Sequence, residues 1–290
     1  MTTLSRTAAR RSSAPQPRRA RGRHEGGLGS TAIGVVIIAV MLFPIYWMLN
    51  VSLQQSGDAV GTPWLPLHIT LHGYSQALHQ QGHYLVTSLE IGVGSVIFSL
   101  LIAAPGAYAL AHFRIRRAGV VLLAILVSQM VPGIVLANAL YTAYNDVGLL
   151  NSIWGLILAD STAGVPFALL ILRAFMKSIP AEVIEAAYVD GAGPVRTFFS
   201  IVLPLSRNAL VSAGLFTFLF AWGDFLFALT LTTSNHVRPV TLGIYTYIGA
   251  YVHDWSSVMA TAVLASLPAL VLLTWAQRYI TAGTTAGALK

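Results

Sequence analysis

Cysteine is absent from this chain of 290 residues, which excludes disulfide bonds and thiolate chemistry. Charged side chains are also scarce, at 9% of the residues, whereas soluble domains carry about 25%. With 56% hydrophobic residues and a mean hydropathy of +0.70, the chain has too little polar surface to cover a soluble fold. These absences exclude an ordinary soluble enzyme and a disordered chain, and they favour a membrane protein with several helices.

Sequence motifs of enzymes and metal sites are missing as well. The chain has no Gly-x-x-x-x-Gly-Lys-Ser/Thr phosphate loop, no His-Glu-x-x-His zinc motif and no Gly-x-Ser-x-Gly nucleophile elbow. We therefore expect no catalytic residue, no metal site and no cofactor in this chain. An intramembrane enzyme and an ion-coupled secondary transporter stay open as alternatives, although neither a convergent catalytic pair nor an inverted repeat is visible.

Six apolar segments are each long enough to cross a bilayer, which takes about 20 residues of helix. They predict an all-α polytopic fold with six transmembrane helices. Prolines inside these segments are compatible with membrane helices, whose neighbours satisfy the freed carbonyl groups. The predicted spans are Thr31–Leu53, Ser88–Phe113, Gly119–Ala143, Ser152–Phe175, Arg207–Leu231 and Ser257–Tyr279.

The distribution of basic residues predicts the orientation. Of the 17 Lys and Arg residues, only Arg238 falls in a loop on one side, and the others lie on the opposite side. The positive-inside rule therefore places both termini in the cytoplasm of a multi-pass protein of the cell membrane. Residues 1–29 are rich in Arg, Ser, Pro and Gly and are predicted to be a disordered tail, followed by a transmembrane domain over 30–290. In so apolar a chain, the basic tail indicates topology or contact with anionic lipid rather than nucleic-acid binding.

The second predicted span carries small residues at every fourth position. This spacing lets two helix backbones approach closely, so it predicts a packing seam rather than a chemical site. The residues are Ser95, Ser99, Ala103, Ala107 and Ala111.

The longest charged cytoplasmic stretch, residues 178–206, is predicted to form two short helices around a turn. Pro180 fits a first helical turn, and Gly191 is a natural helix stop. The small side chains of Ala186 and Ala187 would let another protein approach the first helix closely. The second helix is predicted to have one apolar face, because four residues recur at helical spacing: Val195, Phe198, Phe199 and Val202.

This stretch also carries a pattern of six conserved-type positions at set spacing: Glu185-Ala186-Ala187, Gly191, Ile201 and Leu203-Pro204. The pattern resembles the signature loop of the permease subunits of binding-protein-dependent ABC importers. Other stretches resemble the maltose-type sugar permeases within that family, although Gly223 stands where the family usually has Asn. They are Phe43 to Leu53, Gly106 to Ala111, Gly148 to Ser152, Trp222 to Leu229, Asp254-Trp255 and Ala265 to Pro268.

The resemblance implies a type I importer permease that moves a sugar or oligosaccharide by alternating access. It implies a second permease subunit, two copies of an ATPase subunit that bind ATP and Mg, and an extracytoplasmic solute-binding protein received by the outer loops 54–87 and 232–256. An importer for a polyamine or phosphate stays open. The residues expected to couple the chain to the ATPase are Glu185, Ala186, Ala187, Asp190, Gly191, Ile201, Leu203 and Pro204.

Two acidic residues lie deep in predicted spans. Burying a charge in lipid costs at least about 2.5–3.5 kcal/mol, so such groups usually face a cavity or a partner. Asp160 is followed by Ser161, and Asp224 lies between Trp222 and Phe225. Because sugar sites combine polar groups with aromatic faces, these five residues are candidates for the translocation path. The alternative is a structural hydrogen bond between helices or a subunit interface.

Overall fold

The structure is a computed structural model that describes residues 28–55, 63–66, 68–234, 237–250 and 254–285. Every regular element within these ranges is helical. The chain divides into two units, residues 1–44 and 45–290. Most of the predicted basic tail, residues 1–27, lies outside the described residues.

The elements follow one another with short connections. They are α1 (Leu28–Ser52), α2 (His72–His112), α3 (Ala118–Ser128), α4 (Gly133–Val147), α5 (Ile153–Met176), α6 (Ala181–Val189), α7 (Pro194–Thr197), a π-helix (Phe198–Val202), α8 (Leu203–Leu205), α9 (Arg207–Gly223), α10 (Leu226–Leu231), α11 (Val240–Ala250) and α12 (Trp255–Thr285).

Four single helices are long and apolar enough to cross a membrane, namely α1, α2, α5 and α12. Two bent pairs, α3 with α4 and the Pro194–Leu205 segment with α9, raise the number to six if each pair forms one span. The prediction of an all-α membrane fold is therefore confirmed, with up to six spans among the described residues.

The second predicted span is much longer in the structure than in the prediction. α2 begins at His72 and has 41 residues, so residues 72–87 are helical and not part of an outer loop as predicted. This first part of the helix is too polar to register as a span, yet it contains no proline and few glycines. A helix can continue beyond the bilayer because water then satisfies its polar side chains.

The third and fifth predicted spans are interrupted, and the prediction of continuous helices is wrong there. α3 and α4 meet at an angle of 93°, and Pro132 directly precedes α4. Proline lacks the N–H that a helix needs and disfavours a helical conformation in the residue before it. In the fifth segment, α9 ends at Gly223, and Asp224 adopts an extended backbone (φ −64°, ψ 132°) before α10 begins.

The core forms where α2, α5 and α9 cross. The predicted packing seam is confirmed, because Ser95, Ser99, Ala103 and Ala107 are all fully buried. Opposite the seam, a Cβ at Gly164 would lie 2.6 Å from the Ser99 hydroxyl oxygen and 2.7 Å from a methyl carbon of Thr217. The three helices therefore approach each other so closely that only glycine fits at position 164.

Candidate functional site

The stretch predicted to contact an ATPase has the expected hairpin shape. α6 ends at Val189, and the chain reverses through Gly191, whose φ is +78°. A side-chain-bearing residue adopts this left-handed conformation only at a cost of roughly 1 kcal/mol or more, which explains glycine at this position. Pro194 then begins α7 as its first residue, where its missing N–H is no loss.

The second arm of the hairpin differs from the predicted single apolar face. Phe198 and Val202 are buried, whereas Val195 and Phe199 are 71% and 61% exposed. The reason is the π-helix over Phe198–Val202, whose wider turn shifts residues out of the register of an α-helix. An apolar patch of this arm therefore remains uncovered within the chain.

The first arm presents one face to the chain and the other outwards. Ile184 and Ala187 are buried, at 6% and 4% exposure, whereas Glu185 and Ala186 are exposed. The prediction that Ala187 offers a close approach to a partner is therefore wrong, because its side chain packs within its own chain. Of the remaining predicted coupling residues, Asp190, Gly191 and Pro204 are exposed, and Ile201 and Leu203 are half-buried.

Tyr108 on α2 joins the hairpin to the membrane helices. Its hydroxyl donates a hydrogen bond to the Pro194 carbonyl oxygen over 3.4 Å, and the side chain of Tyr188 lies close enough to interact with it. The Tyr108 ring lies 5.3 Å from those of Phe113 and Phe198. One buried side chain thus contacts both arms of the hairpin and the end of α2.

The structure also brings the two predicted membrane carboxylates together. Asp160 on α5 is 6% exposed, and it interacts electrostatically with Asp224 at the end of α9. Tyr144 of α4 interacts with Asp160 in the same way. Residues far apart in the sequence therefore form one polar cluster inside an apolar helix bundle.

Asp224 also has a clear structural role. Its carboxylate oxygens accept hydrogen bonds from the backbone N–H groups of Phe227 (3.3 Å) and Ala228 (3.0 Å). Its carbonyl oxygen accepts one from the Thr241 hydroxyl at 2.6 Å. Asp224 therefore caps the start of α10, which is a usual function of aspartate where a helix begins.

Both helix interruptions adjoin the polar residues of α5. The amide of Gln129, in the break between α3 and α4, donates to the Thr162 carbonyl oxygen over 3.3 Å. A Cβ at Gly133, the first residue of α4, would lie 3.1 Å from a methyl carbon of Leu226, the first residue of α10. Interrupted helices that meet inside the membrane are a common setting for solute sites in transporters.

The other predicted path residues face different surroundings. Trp222 is buried, stacks on Phe218 and donates its indole N–H to the Ala265 carbonyl oxygen at 3.0 Å. The Ser161 hydroxyl donates to Ile157 within α5. Phe225 is 36% exposed and lies edge-on to Tyr245. Trp222 and Ser161 are thus engaged in packing, and Phe225 is the accessible aromatic residue beside the acidic pair.

No group of three His, Asp or Glu side chains in the described ranges is arranged to hold a metal ion. The acidic pair is therefore a polar patch of two carboxylates and a tyrosine.

Asn151 is a further residue that the sequence reasoning did not single out. It has a φ of +56°, and its amide oxygen accepts the backbone N–H groups of Thr233 (2.7 Å) and Ser234 (2.8 Å). It joins the α4–α5 turn to the segment after α10. Both Asn151 and Tyr108 lie in stretches that resemble sugar permeases, so the signal was present without a role attached to it.

Comparisons with known proteins agree with this architecture. Residues 93–285 match the family model described as binding-protein-dependent transport system inner membrane component. The chain is 32% identical over 264 residues to a trehalose/maltose transport system permease protein of Thermococcus litoralis, covering 89% of this chain and 95% of that protein. It is 30% identical over 269 residues to a diacetylchitobiose uptake system permease protein of Streptomyces coelicolor, covering 91% and 98%.

A solved structure has the same fold. The chain superposes on a chain of a bacterial ABC transporter involved in the import of the acidic polysaccharide alginate, with a TM-score of 0.77. The match covers 91% of this chain and 99% of that chain at 24% identity. The helical arrangement, with its interruptions, is therefore one that an import permease adopts.

Proposed function

The chain belongs to the family of inner membrane components of binding-protein-dependent transport systems, and from this membership we propose that it is the membrane-spanning subunit of an ATP-driven importer for a sugar or oligosaccharide. The family is one of transport permeases, so the chain is a multi-pass membrane protein and not an enzyme. The single observation that carries the proposal is the family match over most of the helical domain.

ATP and Mg are proposed to bind to two copies of a separate ATPase subunit. The hairpin supports this assignment, because α6 and the segment after Gly193 expose Glu185, Ala186, Val195 and Phe199 on a projecting surface. Apolar side chains on a soluble-facing surface usually mark a contact with another protein. Closure of the ATPase pair would move the hairpin, and Tyr108 would pass that movement to α2.

The solute is proposed to cross beside the acidic pair. Asp160 and Asp224 supply hydrogen-bond acceptors for hydroxyl groups, and Phe225 supplies an aromatic face. A second permease subunit would provide the opposite wall of the path, and a solute-binding protein would deliver the solute to the outer loops. The predicted orientation, with both termini in the cytoplasm, belongs to this proposal.

A carbohydrate is favoured over other solutes by the relatives. The named systems of the Thermococcus and Streptomyces relatives transport trehalose/maltose and diacetylchitobiose, so the common solute chemistry is a short, hydroxyl-rich oligosaccharide. Polyamine or phosphate importers share the fold, but none of these relatives is named for such a solute.

Reconstitution tests this function. The chain, assembled with the permease, ATPase and binding protein encoded beside it, is placed in vesicles with ATP inside. We expect uptake of a labelled disaccharide or short oligosaccharide that requires both ATP and the binding protein. Uptake of spermidine or phosphate, with no carbohydrate uptake, would contradict the proposed solute class, and uptake without ATP would contradict the importer.

A further inference from the structure

An apolar groove runs between the last turns of α2 and the second arm of the hairpin. It has a volume of about 630 Å³, and Leu101 on α2 and Val195 on the hairpin are about 70% exposed at its edge. Tyr108 supplies the only side-chain hydroxyl among the lining residues. The groove is thus suited to a hydrocarbon chain and offers almost no hydrogen bonds.

Arginines flank this groove at one end. Phe113 and Val195 line it, and each is followed directly by an exposed arginine, Arg114 and Arg196. Tyr108 brings these two places together, because its ring packs on Phe113 and its hydroxyl bonds to Pro194. Two positive charges therefore lie near the same end of an apolar groove.

We propose that this groove binds one anionic phospholipid, with an acyl chain along the apolar lining and the phosphate near Arg114 and Arg196. The charge pattern favours this occupant, because a lipid with a negative headgroup matches an apolar groove that ends at arginines. A neutral lipid would leave both arginines without an anion, and the buried surface of another protein would have to supply acidic residues at this end.

The site has a consequence for coupling, and this part rests on the proposed function. One wall of the groove is α2, and the other includes Pro194, Phe198 and Leu203 of the hairpin. A bound lipid adds contacts to both walls, so it stabilises the hairpin against the membrane helices. Coupling between ATP hydrolysis and uptake would then depend on anionic lipid.

Lipid selectivity of the assembled transporter tests the site. The complex is purified through a tag on this chain, and its retention of phosphatidylglycerol relative to phosphatidylcholine is measured by mass spectrometry. We expect Arg114→Gln and Arg196→Gln each to lower that ratio about fivefold, which is the effect of one basic residue at an anionic surface. Arg278→Gln is the matched control, because Arg278 lies on α12 against Trp275 and Tyr279 and does not line the groove.

A groove-filling variant separates this site from general attraction to a negative membrane. Leu101→Trp should lower phosphatidylglycerol retention, whereas Val120→Trp, at an equally exposed position on α3, should not. Equal ratios in wild type and in both arginine variants would overturn the inference, as would capture of the second permease subunit by a photoreactive group at Leu101. Wild-type uptake without lipid selectivity would remove only the groove, whereas selectivity without ATP-driven uptake would remove only the proposed function.

Discussion

Ala186 and Ala187 are neighbours in the sequence with opposite surroundings. The first is exposed on the outer face of the hairpin, and the second is 4% exposed and packs against its own chain. In a sequence, both read as small residues that allow close approach. The side of the helix that each one faces depends on the packing of α6, which periodicity over nine residues does not determine.

Tryptophan substitutions at these two positions separate docking from folding. Ala186→Trp should leave thermal stability nearly unchanged, because exposed substitutions usually alter stability by less than about 0.5 kcal/mol, and it should abolish binding-protein-stimulated ATP hydrolysis by blocking the ATPase. Ala187→Trp should destabilise the hairpin by about 1–3 kcal/mol through overpacking. Melting curves and ATPase rates of the reconstituted complex measure both effects, and full stimulation with Ala186→Trp would argue against docking at this face.

At the scale of elements, the long apolar helices and the hairpin follow from the sequence, whereas the helix interruptions do not. Hydropathy is continuous through Gln129–Pro132 and through Asp224, so it indicates membrane residence without locating a bend. Pro132 could have been read as a kink, but Pro105 lies inside a continuous helix. Whether a proline bends or breaks a membrane helix depends on neighbours that satisfy the freed backbone groups.

The cap and the charge of Asp224 can be tested apart. Asparagine caps helices about as well as aspartate, whereas alanine loses roughly 1 kcal/mol. Asp224→Asn should therefore keep the stability of the assembled complex, and it should lower uptake if the carboxylate contacts the solute. Asp224→Ala should reduce both. Complex yield, melting temperature and uptake are measured together, and unchanged uptake in the asparagine variant would leave Asp224 with the capping role alone.

Tyr108 is expected to act at the junction of two elements. Tyr108→Phe keeps the aromatic packing and removes the hydroxyl that bonds to Pro194, a loss of about 1 kcal/mol. The expected result is a lower amount of solute imported per ATP hydrolysed, with complex assembly retained. Tyr141→Phe, on the exposed side of α4, is the matched control. An unchanged transport-to-hydrolysis ratio in Tyr108→Phe would remove this residue from the coupling route.

For the whole molecule, the prediction concerns orientation. The chain lacks cysteine, so single cysteines can be introduced without background. Cysteines at Gln55, Asp146 and Asn235 should react with a membrane-impermeant thiol reagent added outside intact cells, and one at Arg117 should react only after lysis. Asn235 lies outside the described residues, and its prediction rests on the positive-inside rule. The reverse pattern would overturn the predicted topology.

The length of α2 has a mechanical consequence for the whole molecule. A continuous helix of 41 residues is about 62 Å long at about 1.5 Å per residue. Tyr108 sits near one end of this rod, and near the other end the backbone at Gly73 is in close contact with Ser256. A tilt of only about 5° about the hairpin end would displace the far end by about 5 Å. A small push on one side of the membrane thus becomes a displacement as wide as a sugar ring on the other.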